Sequence, residues 1–295
     1  MTPIVALKLG RVSNLPTVWT NTLAATVLAA GTPGMLFWWL ALAMSLFYIG
    51  GMYLNDAFDA RIDAVERPER PIPSGEVSRN TVFIAGFAML LVGELILLWC
   101  GTGHSGLARW MPGAAGLMLC VMIVLYNAHH KQNPLSPVLM GACRFLVYLC
   151  AGLALSVPLP LLVWVGALLL FCYLIGLTYV AKQENLGQVK NLWPLVFLVA
   201  PLLFVLLRGF AAAEPGLDGS VLLLWLVLLG WIVFAVTLVV RRKPGSIPRA
   251  VVSLIAGISL VDALMIAVAG QPILAGAAVL GFGLTLVFQR YIPGT

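Results

Sequence analysis

The residues able to do chemistry are gathered in one short stretch. Asn55-Asp56-Ala57-Phe58-Asp59-Ala60-Arg61-Ile62-Asp63 is followed closely by Arg67, Arg70 and Pro71-Ile72-Pro73-Ser74-Gly75. Six of the eleven Asp and Glu residues in the chain lie between Asp56 and Glu76. If the helix preceding Asn55 runs on through the motif, Asp56, Asp59 and Asp63 fall at i, i+3 and i+7 and share one stripe. Three like charges on one stripe repel unless a cation sits among them. Hard oxygen ligands of this kind suit Mg²⁺, which takes one or two protein carboxylates and completes its shell with water and substrate phosphates. The arginines just downstream would meet the remaining phosphate oxygens. A loop that only fixed membrane topology would need lysine and arginine, not aspartates in register.

The elements that must position this stretch are apolar. The chain has 295 residues, 61% hydrophobic and 9% charged, with mean hydropathy +1.02. Soluble domains carry roughly a quarter charged residues, so the composition is that of an integral membrane protein. Apolar runs occur at 14–31, 34–55, 79–100, 111–127, 136–156, 158–181, 192–208, 219–240, 249–269 and 272–289. The last two are joined so tightly that they could form one broken segment. The expected fold is therefore all-α: a polytopic bundle of nine to ten transmembrane helices, one domain across residues 1–295. With the N-terminus in the cytoplasm and strict alternation, fourteen of the seventeen lysines and arginines lie at cytoplasmic ends. Arg109 and Arg208 fall outside and Arg144 within a span, a strong positive-inside bias. That placement accounts for the net charge of +6 without nucleic acid as a partner. The same alternation puts four features on one side: the Asp motif, Tyr126 to Lys131, Tyr179 to Asn185, and Arg241 to Lys243. The expected location is a bacterial cytoplasmic membrane with the site facing the cytoplasm. No cleavable signal peptide is evident after Lys8 and Arg11. The five cysteines lie in or at the ends of apolar segments without metal spacing, and read as packing residues.

Asn55-Asp56-x-x-Asp59-x-x-x-Asp63, then Glu66-Arg67, Arg70-Pro71 and Ser74-Gly75, resembles the first Asp-rich motif and following loop of the UbiA superfamily of intramembrane prenyltransferases. Arg11-Val12-Ser13-Asn14-Leu15-Pro16-Thr17 is similar to the start of that family's first helix, and Tyr179-x-x-Lys182 with Glu184 sits where its second Asp-rich motif falls. The resemblance implies a bundle around a central cavity that opens on the cytoplasmic side. It implies Mg²⁺ held by Asp56, Asp59, Asp63 and Glu184, and a prenyl diphosphate met by Asn55, Arg67, Arg70 and Tyr179. It also implies an allylic cation passed to an acceptor, a small (often aromatic) molecule or a lipid. The second motif departs from the family's, since Glu184 is its one carboxylate beside Gln183, Asn185 and Gln188. One Mg²⁺ held by the first motif is then expected, with Lys182 contacting phosphate in place of missing metal charge. Ten helices would also exceed the family's usual nine.

Three further readings stay open on the residues. Arg144, inside a span, either faces the diphosphate or pairs with Glu94 or Asp262, because an unpaired charge there is costly. Glu94 and Asp262 serve function or helix-to-helix hydrogen bonding equally well. Asn127 could reach the acceptor or the diphosphate, whereas His129 and His130 read as an interfacial loop, not a metal site. Besides Mg²⁺-dependent prenyl transfer, a UbiA-type terpene cyclase and a lipid-binding or transport protein are the alternatives. Transport ranks last, since the acids gather at one face and no internal repeat is visible.

Overall fold

A computed structural model describes residues 1–131, 133–183, 191–211, 218–241, 243–292 and 294. Its described residues form helices and no strands. The helices are α1 Pro3–Leu9, α2 Leu15–Ala30, α3 Met35–Glu66, α4 Arg79–Cys100, α5 Met111–His129 and α6 Ser136–Leu153. They continue with α7 Leu161–Lys182, α8 Ala200–Ala211 after a 3₁₀ segment Trp193–Val199, α9 Gly219–Arg241, α10 Ser246–Val268 and α11 Pro272–Phe288. Each of the ten apolar runs falls on one of these elements. Among the described residues eight segments are long and apolar enough to cross a membrane, and α11 is a shorter apolar helix. The bundle is an integral, multi-pass membrane protein.

Lipid-facing and core-facing surfaces separate as a bilayer demands. On α9, Leu222, Leu223, Leu226, Val227 and Val233 are exposed, a surface that only hydrocarbon would cover at no cost. In contrast, α2 and α10 are almost wholly buried and form the centre, with α10 packed on α2, α7, α9 and α11. The short α2 carries Thr17, Thr20, Asn21, Thr22 and Thr26, all buried, and the first four find hydrogen-bond partners inside the bundle. All five cysteines are free.

The element that matters most is α3. At 32 residues it is roughly 48 Å long, against ~30 Å of hydrocarbon, so its last turns rise out of the apolar zone. It runs unbroken through Asn55 to Glu66, which sets the aspartates on the expected stripe. It lies tightly against α4 because small residues face each other there. A Cβ on Gly50 would stand 2.9 Å from the Gly86 carbonyl, and one on Gly86 would stand 2.9 Å from the Leu54 side chain. The turn back into α4 is capped by the Ser78 hydroxyl, which accepts from the Thr81 backbone N–H at 3.1 Å.

Candidate active site

Asp56, Asp59 and Asp63 are all buried, at 6%, 5% and 2% exposure. Their stripe is interleaved with cations that come from three other parts of the chain. Arg11 Nη2 lies 3.1 Å from Asp56 Oδ1 and 3.3 Å from Asn55 Oδ1. Arg70 Nη1 donates to Asp63 Oδ2 at 2.7 Å and stands 3.4 Å from Asp56 Oδ1. His130 Nε2 is 3.2 Å from Asp59 Oδ2, with Lys131 Nζ 3.9 Å from the same oxygen and 3.4 Å from Glu66. Burial opposes the charge on Arg70, but Asp56, Asp63 and Asp59 outweigh it and raise its pKa. Arg11 reaches inward from a left-handed backbone conformation, φ 41°, rare for a residue with a Cβ.

This cluster forms the mouth of a cavity of about 470 Å³. Asn55, Asp59, Asp63, Glu66, Arg67, Arg70, Lys131 and Lys182 line the polar end. Met44, Phe47, Leu119, Ile123, Val147, Leu174 and Ile258 line the apolar interior, with Tyr48 and Tyr126 between. A cavity with a charged mouth and a hydrocarbon floor suits an amphiphile with an anionic head.

The residues singled out from the sequence do not all arrive in the same place. Arg67 lines the mouth with no side-chain partner among the described residues, open to an anion. Asp56 does not line the cavity; its carboxylate holds Arg11 and Arg70 instead. Asn127 lines the wall, yet its amide is occupied: it accepts from Asn55 Nδ2 at 3.1 Å and donates to the Gly51 carbonyl at 3.0 Å. Lys182 reaches the mouth and donates to the Asn133 carbonyl. Tyr179 is half-buried against the core and is not among the cavity-lining residues, because the turn of α7 presents Thr178 and Lys182 there instead. Glu184 lies outside the described residues. Glu94 packs against Gly113 and Gly116 of α5, away from the cavity.

Two side chains mattered more than their local sequence suggested. His130, read as part of an interfacial loop, stacks on Tyr126 and contacts Asp59, while His129 stays exposed. The signal for it was the i, i+3 spacing from Asn127, which puts both on one face of the last turn of α5. Arg144 lines the cavity but makes no direct ion pair with Glu94 or Asp262; it donates to Asn21 and Thr17.

The donor set is compatible with Mg²⁺. Asp59 and Asp63 offer hard carboxylate oxygens to the cavity, and Asn55 and Glu66 add oxygen donors beside them. Among the described residues no three acid, His or Cys side chains converge into a closed metal cage. An ion that keeps its waters and shares substrate phosphates needs no such cage.

Fold and site together define a class: a membrane helix bundle with one acid-rich, cation-laced cavity mouth over a hydrocarbon pocket. The model of the UbiA prenyltransferase family matches residues 15–251, and the chain belongs to that family. Relatives include the digeranylgeranylglyceryl phosphate synthases of Methanoregula boonei, 35% identical over 115 residues, and of Methanothrix thermoacetophila, 34% identical over 115 residues. The first match covers 38% of this chain and 38% of the relative, and the second 39% and 40%, so the chain aligns with well under half of each relative. Among solved structures, a digeranylgeranylglyceryl phosphate synthase superposes with TM-score 0.64 at 19% identity, covering 90% of this chain and 98% of that one. A UbiA homologue from Archaeoglobus fulgidus, bound to GPP and Mg²⁺, superposes with TM-score 0.60 at 12% identity, covering 91% and 99%. These superpositions establish the shared fold.

Proposed function

We propose that the protein transfers a prenyl group from a prenyl diphosphate to a small aromatic or lipid acceptor inside the membrane. The observation that carries the reading is a cavity with aspartates and arginines at its mouth and hydrocarbon below. The diphosphate would lie at the mouth, against Arg67, Arg70 and Lys182, with the isoprenoid chain running down between α3, α5, α6 and α10. Mg²⁺, held by Asp59 and Asp63, would neutralise charge gathering on the departing diphosphate. Asp56 acts through others: it holds Arg11 and Arg70 where phosphate oxygens would arrive. The allylic C–O bond breaks with its electron pair leaving on the diphosphate. A nucleophilic atom of the acceptor then bonds to the allylic carbon and loses its proton. Phe47, Tyr48 and Tyr126 line the cavity through which the intervening cation would pass, and the apolar walls would keep water from quenching it. The basic residues flanking the motif support a mouth on the cytoplasmic side.

The test is purified protein in lipid nanodiscs, incubated with C10 to C20 prenyl diphosphates and Mg²⁺, with diphosphate release and product mass both followed. Release that depends on an added acceptor, with a product of donor-plus-acceptor mass, supports transfer. A product with the mass of the donor hydrocarbon alone would mean cyclisation. Absence of release for every donor refutes the reading.

A further inference from the structure

We propose that Arg144 is a second anion-binding point in the cavity, separate from the diphosphate end, that anchors an acceptor bearing an anionic oxygen. The proposal rests on the reading of the mouth as the prenyl diphosphate site and names the chemistry of the other substrate.

Arg144 is a guanidinium inside the bundle, 9% exposed, on a wall of the cavity. Among the described residues no carboxylate lies within ion-pair distance of it. It donates through Nη1 to Asn21 Oδ1 at 2.6 Å and through Nη2 to Thr17 Oγ1 at 3.1 Å, and it sits over the Tyr48 ring at 5.5 Å. Its counter-charge is Asp262, fully buried on α10, but the two are held apart by the Asn21 amide. Asn21 Nδ2 donates to Asp262 Oδ2 at 2.7 Å, Thr20 donates to the same oxygen at 2.6 Å, and Tyr148 donates to Oδ1. The amide can face only one way, oxygen to the arginine and nitrogen to the aspartate.

This arrangement answers two needs at once. A buried carboxylate and a buried guanidinium are each costly alone, and together their formal charges cancel. A direct salt bridge would have spent the guanidinium fork on Asp262. Relayed through a neutral amide, the remaining N–H donors of Arg144 stay free to meet a carboxylate, phenolate or phosphate. Along α3 this point is offset from Asn55 at the mouth, and the Tyr48 hydroxyl links the two by donating to the Arg11 backbone carbonyl at 3.2 Å. Tyr48, under Arg144, lies seven residues before Asn55 on α3, about 10 Å along its axis. That gap takes one aromatic ring or a short polar head, with the anion on Arg144 and the nucleophilic atom turned toward the allylic carbon. A purely structural network tying α2, α6 and α10 would not require its cation to line the cavity.

Binding in nanodiscs tests this with defined probes: benzoate against benzamide for an aromatic acceptor, and octyl phosphate against octanol for a lipid one. Geranyl diphosphate with Mg²⁺ is titrated in parallel. We expect at least one of the two anions to bind wild type tighter than its neutral counterpart, and which one identifies the source of the anion. Arg144→Gln should weaken that anion ~tenfold or more, the scale of a lost charge-assisted hydrogen bond, while geranyl diphosphate affinity changes little. Arg144→Lys keeps a cation at the site but loses the guanidinium fork, and should weaken the same anion measurably, though less than Arg144→Gln does. If Arg144→Gln does not fold, Arg144→Lys alone decides. The proposal is overturned if neither anion outbinds its neutral partner, if both variants leave the anion unaffected, or if geranyl diphosphate is lost in parallel with it. Wild type that binds no geranyl diphosphate, or Asp59→Ala that binds it normally, overturns the reading of the mouth instead.

Discussion

Replacing Arg70 probes a side chain that joins two of the three aspartates. Its Nη1 serves Asp63 at 2.7 Å and Asp56 at 3.4 Å, and those side chains are only 3% and 8% exposed. Arg70→Ala leaves Asp63 without its cation, whereas Asp56 keeps Arg11 at 3.1 Å. Removing one partner of a buried pair costs about 3–5 kcal/mol, and the surviving Arg11 contact puts this site at the lower end. In turnover the loss is larger than that structural cost suggests, because the same guanidinium faces the cavity where the diphosphate would gather charge. Losing one preorganised donor to a developing anion costs about 10²–10³-fold in kcat. Arg70→Ala should therefore fall in that range, while Arg70→Lys should recover part of it. A lysine keeps the charge but cannot fork between an aspartate and a phosphate. Mg²⁺-dependent diphosphate release from geranyl diphosphate is the assay. Arg70→Ala turning over within about threefold of wild type would refute the reasoning, because the scale expected of such a donor is far greater.

Asp59→Asn and Asp63→Asn should each lower activity by at least ~10–100-fold and raise the Mg²⁺ concentration needed for half-maximal rate, read from metal titrations. Lys182→Ala should cost more turnover than Glu184→Ala; a silent Lys182→Ala beside a dead Glu184→Ala would point instead to two metals of equal standing. Gly50→Val should lower thermal stability and yield, since its Cβ would meet the Gly86 carbonyl at 2.9 Å, and a stable variant would mean that α3 and α4 can part. Single cysteines on a cysteine-free background should label from the cytoplasm at positions 69 and 76 and from outside at position 109; the reverse pattern would invert the bundle.

Local periodicity decided a good deal by itself. Ten apolar runs are legible because hydrocarbon must face lipid or core over some 20 residues, a constraint written along the chain and not between its parts. The stripe of Asp56, Asp59 and Asp63 follows from 3.6 residues per turn once α3 is continuous, and the family resemblance rests on that same motif. What the chain could not show was which cation meets which acid. Arg11 and Asp56 are 45 residues apart, Arg144 and Asn21 are 123 apart, and Thr20 and Asp262 are 242 apart. Each pairing depends on how neighbouring helices are rotated and how deep each residue sits. One residue of phase, about 100° around the helix axis, placed Thr178 at the cavity and Tyr179 against the core, and brought His130 to Asp59 while leaving His129 exposed. Only tertiary packing sets those rotations. Glycine contacts such as Gly50 on Gly86 fix the α3–α4 spacing, and the buried amide of Asn21 holds α2, α6 and α10 in register.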